Sequence, residues 1–388
     1  MYRNTYVKIN ESTLTNNIKE IKKKYSNYKY YIGVVKGNAY GHGAYSVSAL
    51  IKGGINYLAV SSLEEAIEIR KYEKDIPILC LEPINSKYID DIIKYNVTAT
   101  IDSLELAKEY CKHEKNLKVH IKLDTGMSRL GINDSEELRD TIKILKENNI
   151  EIEGIYTHFA TTGISDPYYD LQLKKFVKLM YMIDLSQFKI IHLGRSLTLV
   201  NHQQLPFING IRLGIIMYGF NGSMPAGKGF KNYLRELKRK RLIRKYHISP
   251  TIRENDLNLK TAFSLYTEVM SIRKIKKGDF VGYGAKYIAD RDMIIATLPI
   301  GYADGMNVLL KDVVINGKKY PIVGEICMDM TMIQVDESVK LHDQVEIFGD
   351  KISIREIGRK LNTNAYHVFT GITTRVPRIY EDGTEIKY

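Results

Sequence analysis

The chain has 388 residues, 44% of them apolar and 26% charged, which reads as globular and is long enough for one large core plus a second domain, or for a barrel with an appendage. Lys and Arg number 57 against 45 Asp and Glu, and the formal charge of +12 selects no partner by itself: with so much Lys, Ile, Asn and Tyr it reflects a lysine-rich proteome before it reflects nucleic acid. No apolar run approaches the roughly 18 to 20 residues of a membrane span, and the opening MYRNTYVKINES lacks the apolar core of a secretory signal, so the expectation is a cytoplasmic protein that engages neither membrane nor nucleic acid.

In chain order, short apolar runs alternate with amphipathic ones. The expected strands are YIGVVK from Tyr31, YLAVS from Tyr57, PILCL from Pro77, TATI from Thr98, VHIKLD from Val119, EGIYTHFA from Glu153, KIIHLG from Lys189 and IRLGIIMYG from Ile211. Between them lie helical patterns from Ser62, Ser103, Ser135 and Tyr168. The three serines, each with Glu close behind, are the expected N-caps. Eight strand–helix units over about 220 residues predict a (β/α)8 TIM-like barrel over residues 1–225, with a doubly wound open sheet as the alternative. A Gly-rich NGSMPAGKGF and the basic run KNYLRELKRKRLIRKYH, Lys231 to His247, follow; residues 226–260 are expected as an insertion or linker with a solvated helix. From Thr261 to Tyr388 the runs are strand-like and separated by KKGD, ADRD and INGKK turns, which predicts a mostly β C-terminal domain over 261–388. Cys80, Cys111 and Cys327 stand far apart with no CxxC, so neither a disulfide framework nor a metal site is expected.

The stretch VVKGNAYGHG, Val34 to Gly43, carries the first chemical signal. Lys36 ends the first barrel strand, at the barrel face where active sites are assembled, and a lysine there can form a Schiff base with an aldehyde once its ammonium pKa is lowered. Gly37 and Ala39 let a flat ligand approach the backbone, Tyr40 offers a hydroxyl to an anion, and Gly41 and Gly43 free the turn. GRS (Gly194–Ser196) and LGI (Leu213–Ile215) close the seventh and eighth strands, the usual barrel phosphate site; the N–H groups of Ser196, Gly214 and Ile215 could cradle a phosphate. A strand-end lysine together with that cradle points to pyridoxal 5'-phosphate. Arg212 lies one strand away. Facing the pyridine nitrogen, it would leave that nitrogen unprotonated, because guanidinium does not give up its proton.

VVKGNAYGHG, KLDTGMSRLG, YTHFATT, IRLGIIMYG, GYGAKY, LPIGYADG, VGEICMDM and TRVPRIY resemble, in order and over nearly the whole chain, the motifs of the alanine racemase family, pyridoxal-phosphate enzymes of fold type III. The resemblance implies that Lys36 is the Schiff-base lysine and that Tyr40, Ser196, Gly214, Ile215 and Tyr366 hold the phosphate. It puts Arg212 on the pyridine nitrogen with His192 supporting it, and His158 beside the cofactor and the catalytic tyrosine. Arg129 and Met328 would hold or surround the substrate carboxylate, Lys122 is carbamylated in some members, and Tyr302 and Asp329 line the entrance. Removing the Cα proton from one face and returning it to the other needs two bases, implied to be Lys36 and Tyr283. The counterparts of Tyr283 and Met328 come from the other subunit, so a homodimer is implied. The implied role is supply of D-alanine for peptidoglycan.

Three departures bear on specificity: Arg195 where Asn is usual, His367 where Glu is usual, and the basic insertion. The competing functions are a serine or broad-specificity racemase of the same mechanism, a non-catalytic cofactor-binding barrel, and a decarboxylase of similar architecture, for which Tyr283 is the wrong acid.

Overall fold

The computed structural model describes residues 3–113, 115–163, 166–220, 257–361, 363 and 365–387, together with Leu237 and Arg241. The Gly-rich 221–230 segment, nearly all of the basic run and most of the 226–260 insertion therefore lie outside the described residues. The chain forms two compact units. One takes Leu14–Ala39 and Val47–Lys260; the other takes Met1–Thr13, Tyr40–Ser46 and Thr261–Tyr388.

The chain opens on β1 (Tyr6–Ile9), which belongs to the second unit. The first unit contains β2 (Tyr30–Val34), β3 (Tyr57–Val60), β4 (Ile78–Cys80), β5 (Val97–Ile101), β6 (Lys118–Lys122), β7 (Glu151–Tyr156), β8 (Ile190–His192) and β9 (Gly210–Leu213). These are the eight strands expected from the sequence. From β2 to β8 each pairs in parallel with the next, and β9 pairs with β2, placing Gly33 opposite Leu213, so β8 and β9 are the two ends of the sheet. Asn209 N donates to Ile191 O and Arg212 N to Gly194 O, both at 3.3 Å; these two bonds join the end strands without a regular ladder, so the sheet forms a nearly closed barrel. Covered on both faces, these strands read as mostly apolar runs. The barrel interior is nonetheless unusually polar, because Thr98, Thr100, His120, Glu153, His192 and Arg212 are all buried.

Helix Leu104–Cys111 is capped as expected, Ser103 Oγ accepting from Leu106 N at 3.2 Å. For Ser135–Glu147 the expected serine cap is corrected: Asp134 accepts from Glu136 N and Glu137 N, and Ser135 is the first helical residue. Both N–H groups go to one carboxylate oxygen, whose negative charge strengthens them and meets the positive end of the helix dipole, as a neutral hydroxyl would not. Ser62 precedes Leu63–Arg70 in extended conformation without a side-chain cap bond.

The second unit is mostly β. Its largest sheet takes the strands β10 (Phe263–Glu268), β15 (Asp312–Ile315), β16 (Lys318–Pro321), β18 (Gln344–Phe348), β19 (Arg378–Ile379) and β20 (Glu385–Ile386), with β1 inserted between β10 and β19. Smaller sheets contain β11 (Ser271–Ile275), β14 (Met293–Leu298) and β17 (Thr331–Val335), and β12 (Phe280–Val281) with β13 (Tyr287–Ile288). The segment 40–46 is tied to this unit through its backbone: the buried Arg378 donates to Gly41 O at 3.0 Å, and Tyr380 Oη donates to His42 O at 2.9 Å. Gly41 needs its missing Cβ twice over, having φ +81° and the Phe369 carbonyl oxygen 2.5 Å from where a Cβ would stand.

Candidate active site

Because β2 and β9 are neighbours, Lys36 and Gly214 leave the barrel side by side at its carboxyl end. Lys36, half-buried, opens a left-handed turn in which Gly37, Asn38, Ala39 and Tyr40 have φ of 61°, 54°, 51° and 52°. Glycine adopts this freely and asparagine tolerates it, but Ala39 and Tyr40 are held there at a cost of roughly 1 to 3 kcal/mol each. Ala39 N donates to Val35 O at 2.8 Å. Glu65 supplies a second clamp, accepting from Gly37 N at 2.6 Å and from Ser61 N at 2.8 Å. The small residues after Lys36 thus build a turn as well as leaving space.

Arg212 ends inside the barrel, 2% exposed, its guanidinium 5.3 Å from the Tyr156 ring centroid, and among the described residues its side-chain hydrogen bonds all go to acceptors. Its Nη1 reaches His192 Nδ1 at 2.6 Å and His192 O at 2.8 Å, while Nη2 reaches Thr157 O at 2.6 Å, Leu193 O at 3.1 Å and His158 Nδ1 at 3.3 Å. Among the described residues no carboxylate forms an ion pair with it. Burial pushes its pKa down to about 10, so it stays a cation at neutral pH. His158 and His192 are held neutral, first by burial and then by the Arg212 charge. Since guanidinium only donates, both imidazoles must accept through Nδ1 and keep their proton on Nε2.

Lys122, at the end of β6 and 5% exposed, has its ammonium 4.8 Å from the Tyr156 ring centroid. Burial, with Arg212 and Arg129 adding repulsion, lowers its pKa to about 7. Arg129 is exposed on the following loop, whose turn is set by Asp124 accepting from Gly126 N and Ser128 N. At the anion cradle Ser196 opens helix Ser196–Asn201 and its Oγ accepts from Gly214 N at 2.9 Å. The N–H groups of Ser196 and Ile215 begin their helical turns and lie outside the intrahelical ladder. Arg195 precedes them, half-buried, its N–H donating to Thr198 Oγ1 at 3.2 Å.

Tyr40, Tyr283, Tyr302, Met328, Asp329 and Tyr366 belong to the second unit. Four of these gather on the loop 324–330. Tyr302 N and Ala303 N donate to Cys327 O and Met328 O, both at 3.0 Å. Tyr283 lies on a turn between Gly282 (φ 76°) and Gly284 (φ 69°), and that turn is tied to the loop by the Lys286–Glu325 ion pair. Asp329 receives Arg375 at 2.8 Å. Tyr283 is 70% exposed and Met328 53%. Tyr366, on helix Ala365–Gly371, accepts at its carbonyl from Thr370 Oγ1, and His367 follows it with the two rings 5.9 Å apart. Tyr40 O lies 3.1 Å from His42 Nδ1.

Four residues of the barrel were not read from the sequence: Glu65, Thr157, His120 and Glu153. Of these, His120 and Glu153 left a signal, an ionisable residue within the VHIKLD run and one opening the EGIYTHFA run.

Residues 9–222 match the family described as alanine racemase, N-terminal domain, and residues 262–380 the alanine racemase, C-terminal domain. An alanine racemase of Clostridium kluyveri is 34% identical, covering 99% of this chain and 96% of its own. Among solved structures, the alanine racemase from Bacillus anthracis with bound L-Ala-P superposes with a TM-score of 0.83 at 32% identity, covering 100% of this chain and 97% of the other. A histidine racemase from Leuconostoc mesenteroides superposes at 0.82 with 26% identity over 98% of each chain. With both domains matched in order and the barrel in place, the chain belongs to the alanine racemase family.

Proposed function

We propose that this protein is an alanine racemase that interconverts L- and D-alanine with pyridoxal 5'-phosphate, as a homodimer, and that its D-alanine supplies cell-wall peptidoglycan. The observation that carries the reading is Arg212: a buried, donor-only cation with no carboxylate partner among the described residues suits an aromatic nitrogen that must accept a hydrogen bond without taking a proton. The rest of the donor set fits the same group. Lys36 would hold its aldehyde carbon, and the Ser196 hydroxyl with the Gly214 and Ile215 backbone would hold its phosphate, joined by the hydroxyls of Tyr40 and Tyr366. When bound, the cofactor supplies the electron sink that acidifies the substrate Cα proton.

The chain's own residues supply the proton traffic. The Lys36 amine takes the Cα proton on one face and the Tyr283 phenol returns one on the other, or the reverse, with no net change in protons. Arg129 would hold the substrate carboxylate, Met328 from the other subunit would belong to its surroundings, and Tyr302 and Asp329 would line the entrance. With its pKa near 7, Lys122 is available as a free amine to react with carbon dioxide, which would place a negative charge where Arg129 is drawn. The exposed Phe280, Tyr283, Ile288, Met328 and Met330 support a dimer in which one subunit's second unit completes the partner's barrel site. A cytoplasmic setting suits the three free cysteines. Among the described residues no helix is long and apolar enough to cross a membrane.

A histidine racemase on the same fold favours a second reading, a broader amino-acid range, with Arg195 as the residue that would alter it. The test is purified protein with added cofactor and chiral analysis of a panel of L-amino acids. Alanine is expected to racemise with the highest kcat/KM; serine or another amino acid ranking above it supports the second reading, and no racemisation of any overturns both. Borohydride reduction is expected to fix the cofactor on the Lys36 peptide.

A further inference from the structure

Behind Arg212 the buried contacts continue through the barrel. His192 Nε2 lies 2.9 Å from His120 Nδ1, and His120 Nε2 lies 3.3 Å from Glu153 Oε2. Glu153 Oε2 also accepts from Tyr57 Oη at 2.7 Å, and Oε1 accepts from Lys189 Nζ at 2.8 Å. His120 and His192 are wholly buried and Glu153 is 2% exposed. Because guanidinium has no lone pair to offer, one direction is imposed on every bond. His192 accepts at Nδ1 and donates from Nε2; His120 therefore accepts at Nδ1 and donates from Nε2; the carboxylate at the end only accepts. The two charges stand at opposite ends of two neutral rings. Burial would favour a protonated Glu153, but the bonds from His120, Lys189 and Tyr57 outweigh it and hold its pKa down at about 2, while burial keeps both imidazoles uncharged.

We infer that Glu153, acting through His120 and His192, is the remote counter-charge of Arg212 and that His120 and Glu153 are positioning residues for the reaction. The inference rests on the proposed placement of Arg212 at the cofactor nitrogen. Polarised towards the carboxylate, each imidazole becomes a better acceptor for its neighbour, so the negative charge reaches Arg212 as a stronger and more directional hydrogen bond. A carboxylate in direct contact would instead compete with the cofactor for the guanidinium. The relay orients and holds the cation while leaving its outer face for the ligand. In metal sites the same logic makes the partner of a ligating histidine matter nearly as much as the histidine.

Two measurements test this. Nitrogen-15 spectra of the cofactor-free protein should show His120 and His192 as neutral Nε2–H tautomers, assigned by substitution. A His192 proton on Nδ1, or a doubly protonated ring, overturns the relay. Kinetically, Glu153→Gln keeps shape and removes the charge, and His120→Asn keeps an acceptor opposite His192 Nε2 but disconnects Glu153. Each should lower kcat about tenfold or more with KM changed less than about threefold, and the double variant should be no worse than the poorer single one. Wild-type kcat in either folded variant, or losses that multiply in the double, overturns the proposal. If Glu153→Gln does not fold, His120→Asn carries the kinetic test alone. Wild-type protein without racemase activity would overturn the functional reading, and the tautomers would still judge the relay.

Discussion

Glu65 accepts the Gly37 N–H at 2.6 Å and so fixes the first left-handed residue after Lys36 to the helix that follows β3. Its other oxygen holds Ser61 N, so one side chain binds the ends of two barrel strands. We expect Glu65→Ala to leave two backbone N–H groups without their acceptor and lower stability by about 1 to 3 kcal/mol. Chemical denaturation measures that loss. The same change should cut racemase kcat, because the lysine is aimed by the turn that Glu65 holds. Glu65→Gln, which retains one acceptor, should lose less on both counts.

Lys122 gives a pH signature. Its folded pKa of about 7 lies below the unfolded value of 10.5, so between pH 7 and 10.5 the unfolded chain binds more protons and stability rises with pH. Below pH 7 both states carry the proton and the folded state bears the whole penalty. Lys122→Met should therefore be relatively most stable near pH 6. Its advantage over wild type should shrink by up to roughly 1.4 kcal/mol per pH unit above 7. Urea midpoints at pH 6 and 9 in carbon-dioxide-free buffer measure it. An advantage that grows with pH would contradict the assignment.

Tyr283→Phe removes only the hydroxyl that would serve the second face. Racemisation should fall by two decades or more, about 3 kcal/mol of barrier, while cofactor absorbance and KM persist. Near-normal turnover would remove Tyr283 from the reaction.

Shared sites make a sharper claim. Lys36→Ala and Tyr283→Phe chains, each inactive, would form a mixed dimer having one site with both defects and one with neither. After reassociation, activity should approach about a quarter of wild type for random pairing and independent sites. Demonstrated heterodimers without activity would refute shared sites.

Much of this was legible from residues alone, and for physical reasons. Strands covered on both faces are mostly apolar, so eight runs marked the barrel, and Lys36 stood out because a charged residue ended one of them. The polar interior was not legible. His120 and Glu153 lie on different strands and owe their partnership to barrel closure, which no local pattern encodes. Serine commonly caps a helix, yet at Ser135 the neighbouring Asp134 takes the cap, because its charge meets the helix dipole. β1 went unread because four residues, YVKI, between polar neighbours carry too short a period to register.

That unread strand governs how the protein can be made. Val7 lies between Leu265 on β10 and Arg378 on β19, so a strand from the first ten residues occupies the middle of a sheet otherwise built from the last third of the chain. At 5 to 20 residues per second, ribosomal synthesis takes roughly 13 to 50 s to travel from β1 to β10 and roughly 20 to 70 s to reach β19, so β1 waits for most of the chain before both of its partners exist. A fragment beginning at residue 261 would expose the facing edges of β10 and β19 to any other strand, inviting self-association. The amino terminus thus cannot take its full place in the sheet until nearly the whole chain has been made.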